Sequence, residues 1–453
     1  MARRLPREGA PAPIPFELDG EQLVGVAGEP IAAALLAAGV DTFSRSVKYH
    51  RPRGPFCLAG RCSHCLMRVD GEPNVATCTT PLEAGMTVEH QNSFPTGKLD
   101  LFQAIDWMYP KGLDHHSLFA GVPVVEAAVG KVARHLAGLG VLPAAAHAAE
   151  ATLLHHETAV LVLGAGPAGL AAAAAAAQAG VAVTLVDDRP APGGRLCDGL
   201  TLPGDPAPGY VEARLEELAE AGGKLLSGTF AFGAFLDERG RVVAARAAGR
   251  RLLLVRHQAL IVATGAGEPL PAFEGNDLPG VFGARALSRL VAVHGVLPGE
   301  RIVIDGAGPE GEALAKLLSN AGAEVLALVG PGATAAPAGA PRRIAGALVA
   351  ARGKSRVSGV RVKRDDGKEE KLRCDVVAVA GPKAPLFDLA RHAGAFVQFD
   401  GAGFAVKTGA GGSTSSPEVF ACGEVAGSRS AVESASQGAE AGRAAAAVAR
   451  KGR

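Results

Sequence analysis

The sequence has almost no net charge. Its 46 Lys and Arg stand against 45 Asp and Glu, which leaves +1 over 453 residues. So balanced a chain has no strong field to attract nucleic acid or an anionic lipid surface. A transmembrane signature is also missing. The longest apolar run, Leu170–Val186, is alanine-rich and contains Gln178 and Gly180, so it reads as a buried helix followed by a buried strand. Met1-Ala2-Arg3-Arg4 is followed by proline, glutamate and glycine, where a secretory leader needs an apolar stretch. The expectation is a cytoplasmic chain without a membrane span. A secreted disulfide framework is absent as well. Of seven cysteines, four fall within 22 residues, while Cys197, Cys374 and Cys422 stand alone. A tight cluster in an intracellular protein argues for metal before disulfide. No pair of side chains suggests an acid–base catalytic dyad.

The four clustered cysteines are Cys57, Cys62, Cys65 and Cys78, spaced C-x4-C-x2-C-x12-C. Thiolates are soft, strongly donating ligands suited to iron–sulfur clusters, and a plant-type 2Fe-2S loop opens with the same C-x4-C-x2-C. Zinc competes, but a zinc ribbon usually shows two C-x2-C knuckles and this chain shows one. Four structural thiols without metal are the plainer alternative. His64 lies between two of the cysteines; since four thiolates already suffice, it is read as a loop residue and not as a Rieske ligand. Around the loop, a hairpin at Phe16–Leu18 and Leu23–Gly25 is expected, then a short helix Glu29–Leu36. Strands Leu66–Val69 and Thr87–Glu89 should follow, with a turn at Asp70-Gly71. Together these suggest a small ferredoxin-like β-grasp domain.

Further along, strand, glycine turn, helix and strand follow one another twice, as in doubly wound α/β domains. The first pass is strand Ala159–Leu163, then Gly164-Ala165-Gly166-Pro167-Ala168-Gly169 and an alanine helix. Gly164 permits the tight turn, Gly166 lets backbone approach a pyrophosphate, and Gly169 lets helix and strand pack closely. The helix start offers free amides and a partial positive charge, worth up to ~1 kcal/mol per charge. Strand Val181–Val186 ends at Asp187, the expected place for a carboxylate on a ribose hydroxyl, with Asp188 as a weaker candidate. Arg195, in Gly193-Gly194-Arg195-Leu196-Cys197, is a further candidate at this site; Cys197 is read as a small buried residue and not as half of a redox disulfide. Leu260–Gly265, ending in Thr264-Gly265, and Val419–Glu424, ending in Gly423-Glu424, look like the segments that complete the FAD site of two-dinucleotide flavoproteins. Aspartate is usual where Glu424 stands.

The second pass is strand Arg301–Ile304, turn Gly306-Ala307-Gly308-Pro309-Glu310-Gly311 and strand Glu324–Val329. Gly306, Gly308 and Gly311 repeat the pattern, but the strand ends in Gly330-Pro331 without an acid, and Arg342 and Arg343 are distant in sequence. The fold is expected here; nicotinamide binding or a structural remnant both remain open.

With these motifs in hand, the chain resembles the N-terminal half of the sarcosine oxidase alpha subunit. Ser46–Gly54, the cysteine loop and Val69–Met86 are similar to its N-terminal domain. They are also similar to the small ferredoxin-like subunits of opine oxidases, hydroxyproline dehydrogenases and hydrogen cyanide synthase. Leu101–Leu139, with Trp107, Tyr109, Pro110 and Ala137-Gly138-Leu139-Gly140, resembles the connector. The expected fold is α/β: a β-grasp ferredoxin-like domain followed by a glutathione-reductase-like Rossmann flavoprotein with two dinucleotide-binding domains. The boundaries are residues 1–92 for the 2Fe-2S domain, 93–157 for a connector, 158–280 and 386–453 for the FAD-binding domain, and 281–385 for the NAD(P)-binding-like domain. The resemblance implies an electron-transfer subunit of an amine or amino-acid dehydrogenase or oxidase. Its substrate site would lie on a separate D-amino-acid-oxidase-like beta subunit, with room for further small subunits. It implies FAD, with NAD(P) at the second turn and FMN at a subunit interface as further cofactors. Some relatives hold NAD or ATP where FAD is expected. A folate-binding C-terminal half is not expected, since no counterpart to it is read in these residues. A self-contained NAD(P)H-dependent reductase, or a non-catalytic assembly subunit, are the competing readings.

Overall fold

A computed structural model describes residues 2–6, 9, 11–47, 49–93, 95–97, 99–104, 106, 152–247, 251–334, 340–399, 403–427 and 430–451. The connector residues Trp107, Tyr109, Pro110 and 137–140 lie outside the described residues. Two compact units emerge: Met1–Ala146 with Leu270–Gly381, and His147–Pro269 with Pro382–Arg453.

In the first unit a five-stranded sheet runs Glu21–Val26, Pro13–Leu18, Thr87–Glu89, Leu66–Val69, Glu72–Ala76. Asp19-Gly20 and Asp70-Gly71 turn with positive φ at both positions, as tight hairpins between twisted strands require. The expected hairpin and strands are present. The helix runs Ile31–Ala37, starting two residues later than the sequence suggested because Pro30 holds an extended conformation ahead of it. Its first six residues are all buried, so it lies in the grip of the sheet. Glu72–Ala76 is an additional strand; Pro73 and Asn74 hid it, and its position at the sheet edge tolerates them.

The same unit contains a seven-stranded sheet in the order Val281–Gly283, Val376–Val379, Arg301–Asp305, Glu324–Gly330, Arg343–Arg352, Gly359–Arg364, Glu369–Leu372. The first five strands are mutually parallel and the last two form an antiparallel hairpin. Helix Pro309–Asn320 follows the second glycine turn. The β-grasp part shares this domain's core: Phe56 and Cys57 pack among Val303, Val329 and Val377.

In the second unit the order is Lys224–Leu226, Val183–Val186, Thr152–Leu163, Arg251–Val262, Gly240–Ala247, Phe230–Asp237, with Val419–Ala421 beside the end of Arg251–Val262. Strand Thr152–Leu163 begins seven residues before the apolar run that marked it, because residues 152–157 pair with 251–256 in spite of their polarity. Alanine helix Pro167–Gln178 packs on the C-terminal helix Ala431–Lys451 at very short range. A Cβ at Gly438 would come within 2.1 Å of the Ala168 oxygen, and one at Gly442 within 2.2 Å of the Ala172 oxygen. Among the described residues no helix is long and apolar enough to cross a membrane.

Candidate functional site

The four clustered cysteines come together. The Cys57 thiol faces those of Cys62 and Cys78, and Cys78 also faces Cys65. Cys57, Cys65 and Cys78 are buried, and Cys62 is half-buried. The loop turns its amides inward: Gly60 donates to Cys78 Sγ and Arg61 to Cys57 Sγ, both at 3.3 Å. Left-handed backbone at Leu58 (φ 43°) and Gly60 (φ 67°) makes this possible. For leucine that conformation is strained, which marks the loop as shaped for a purpose other than packing.

Hydrogen bonds among the sulfurs pull the Cys57 and Cys65 thiols down and push those of Cys62 and Cys78 up, with burial opposing the first change and adding to the second. Four thiolates cannot coexist there without a compensating cation. Ser44 Oγ donates to the His64 carbonyl and Thr77 Oγ1 to that of Cys65, bracing the loop from both sides. His64 is buried beside Phe56, with ring centroids 6.4 Å apart.

In the second unit the first glycine turn gathers most residues proposed for it. Gly164 (φ 101°) lies against the Ala263 carbonyl, and a Cβ at Gly169 would fall 1.7 Å from the Gly164 oxygen. Gly166 differs: a Cβ there would find only Gly194 Cα, at 4.0 Å. The middle glycine therefore lines open space, as a backbone cradle for phosphates must. Gly166 caps helix Pro167–Gln178, with Pro167 at its first position. Buried Asp187 accepts from Ala165 N at 2.5 Å and from Arg189 N at 2.9 Å. Burial raises its pKa against these two donors. It thus braces the glycine turn directly, while Asp188 is exposed. Gly423 lies against Ala168, and Gly265 lies beside the Glu424 carboxylate. Thr264 Oγ1 donates to the Leu386 carbonyl at 2.6 Å. Arg195 is engaged by Asp205. Cys197 donates to the Pro192 carbonyl at 3.2 Å.

At the second glycine turn, Gly306 (φ 140°) and Gly311 repeat the close contacts, and Gly308 again faces open space. A cavity of about 380 Å³ adjoins it, lined by Ala307, Gly308, Gly330, Gly332, Thr334 and Arg343. Arg343 is thus not remote: its strand runs parallel beside Glu324–Gly330 and sets it opposite Leu328. Sequence distance misled because pairing of residues 328–330 with 343–345 sets Arg343 at the same sheet end as the glycine turn. Its guanidinium donates to Glu312 at 2.5 Å, and Glu310 pairs with Arg285. Both acids sit in the first helical turn, where they oppose a phosphate. Burial raises Asp305, just before the turn, to about 6.

Residues 158–442 match the pyridine nucleotide-disulphide oxidoreductases. The chain belongs to this family.

This oxidoreductase also carries, over residues 11–93, a match to a 2Fe-2S iron-sulfur cluster binding domain. An iron–sulfur cluster and a flavin are the cofactors that the two matches support. The alpha subunit of sarcosine oxidase from Rhizobium meliloti is 32% identical over 418 residues, covering 86% of this chain and 42% of that one. An opine oxidase subunit from the same organism is 32% identical over 197 residues, 42% of either chain. The resemblance drawn from the motifs is borne out, and the chain spans about two fifths of the length of these curated relatives. The crystal structure of L-proline dehydrogenase from P. horikoshii superposes with a TM-score of 0.71 over 97% of this chain and 74% of that one, at 19% identity. That likeness is one of fold.

One feature of the chain escaped sequence reasoning. Gly193-Gly194 approaches the first glycine turn: a Cβ at Gly194 would come within 2.8 Å of Gly166 Cα. Arg189 fixes that loop through the Gly194 carbonyl (2.7 Å) and Asp198 (2.8 Å). The paired glycines just after the terminal acid were the available signal. Gln437, on the C-terminal helix, accepts from Gly423 N at 3.2 Å.

Proposed function

We propose that this chain is the electron-transfer subunit of a multi-subunit, flavin-dependent amine or amino-acid dehydrogenase or oxidase. Residues 1–92 would serve as the cluster domain, 158–280 with 386–453 as the FAD domain, and 281–385 as a second Rossmann-type domain. Cys57, Cys62, Cys65 and Cys78 would hold a 2Fe-2S cluster. The convergence of their sulfurs, with loop amides directed at them, is the observation that carries the reading.

Gly166, Ala168 and the start of helix Pro167–Gln178 would receive the pyrophosphate of FAD. Asp187 and Asp188 would stand at the adenosine ribose, Arg195 and Gly194 would border the phosphates, and Thr264, Gly265, Gly423 and Glu424 would adjoin the distal part. Bound, the flavin accepts an electron pair and the cluster single electrons, so that a two-electron oxidation can feed a one-electron acceptor. The protein's part is position and potential: glycine backbone orients the nucleotide, and amide donors stabilise charge on the sulfurs. A D-amino-acid-oxidase-like partner would supply the substrate site, with FMN at the shared interface; that a partner exists is supported by relatives named as subunits of sarcosine and opine oxidases. Glu310, Glu312 and Asp305 weigh against NAD(P) at the second turn, and with it against a self-contained reductase.

The test uses the native complex, purified anaerobically. Secondary amino acids are expected to reduce its flavin and then its cluster, seen as bleaching followed by an EPR signal, while NADH and NADPH do neither. Reduction by a nicotinamide alone would transfer the assignment to the reductase.

A further inference from the structure

Helix Ala284–Ala292 belongs to the second Rossmann-type domain, yet it reaches the cysteine loop. Arg289 Nη1 donates to the Leu58 carbonyl at 2.5 Å. Leu58 is the strained residue beside Cys57. The other end of the same peptide group, the Ala59 N–H, is directed at the Cys57 sulfur. A guanidinium on the oxygen and a sulfur on the N–H polarise one peptide in the same sense, so each strengthens the other's hydrogen bond. A second tie lies alongside: Gly283 N donates to the Phe56 carbonyl at 3.0 Å. Phe56 itself is fully buried in that domain's core.

We propose that Arg289 is a positioning residue of the iron–sulfur loop, through which the second Rossmann-type domain sets the reduction potential of the cluster. The inference rests on the four cysteines being the cluster ligands. Arg289 acts in two ways. It holds Leu58 in left-handed backbone, which aims the Ala59 and Arg61 amides at Cys57. It also sets a permanent positive charge one peptide away from the sulfur, and hydrogen bonding and net charge around the sulfurs are what tune such centres. Reduction adds an electron to the cluster, so a nearby cation favours the reduced form. A domain whose glycine turn is crowded by acids thereby has a role that does not require a nucleotide.

The experiment compares wild type, Arg289→Gln and Arg289→Lys as full-length proteins in their native complex. Iron and sulfide content, far-UV circular dichroism, the EPR spectrum and a potentiometric titration are recorded for each. For Arg289→Gln the reduction constant is expected to fall about tenfold, about 59 mV for a one-electron couple, with altered g-values. Arg289→Lys, which keeps the charge, should recover most of the shift. Loss of iron from Arg289→Gln with an unchanged dichroism spectrum, restored by lysine, would support the same role. A full cluster at wild-type potential in Arg289→Gln overturns the proposal. So does collapse of the dichroism signal in both variants, which would assign Arg289 to the fold of its own domain. Wild-type protein without iron or sulfide refutes the ligand assignment instead, a separate result.

Discussion

Individual residues in the cysteine loop divide their work between binding and geometry. Cys62 is the least buried of the four thiols, so its replacement disturbs packing least. Cys62→Ser is expected to lose the visible and EPR signals of a 2Fe-2S centre while retaining bound nucleotide; an unchanged spectrum would remove Cys62 from the ligand set. Asp305 carries a different lesson. Folded, it holds its proton up to about pH 6; unfolded, it releases it near 3.8. The folded state therefore binds more protons across that window, and stability declines as pH rises through it. Asp305→Asn should be more stable than wild type by on the order of 2 kcal/mol at about pH 8, a gain that disappears below about pH 4. Equal unfolding midpoints at the two pH values would contradict this. The cysteine spacing was legible in the sequence; the burial that raises Asp305 was not. The strain at Leu58 was not, since nothing in a leucine announces a left-handed φ.

At the scale of elements, glycines do opposite jobs. Gly166 faces open space, whereas Gly438 abuts the Ala168 carbonyl of the neighbouring helix. Gly166→Val is thus expected to evict the nucleotide, read as loss of flavin absorbance, while leaving its unfolding midpoint close to that of nucleotide-free wild type. Gly438→Ala must drive two helices apart, a loss of about 1–3 kcal/mol, read as a lowered midpoint. Full FAD retention in Gly166→Val would count against the cradle. The alternation of strand, turn and helix was readable because period and glycine spacing are local properties. The extension of Thr152–Leu163 to Thr152 was not, because only pairing with residues 251–256 makes a strand of that polar stretch.

For the molecule as a whole, the sequence by itself determined the order of its parts: a thiolate loop in a β-grasp domain, then two glycine turns in α/β domains. These follow from short-range spacing, since ligand geometry, turn chemistry and strand length are set over a few residues. Only the tertiary structure decided which parts share a core. It joined the cysteine loop to the second Rossmann-type domain through Phe56, Gly283 and Arg289, more than two hundred positions apart in the case of Arg289 and Leu58. It also brought Arg343 to the second glycine turn and turned Glu312 against it. Such meetings depend on how sheets order their strands and how apolar faces find one another. No local pattern encodes them, because the free energy that selects them comes from burial shared among distant segments.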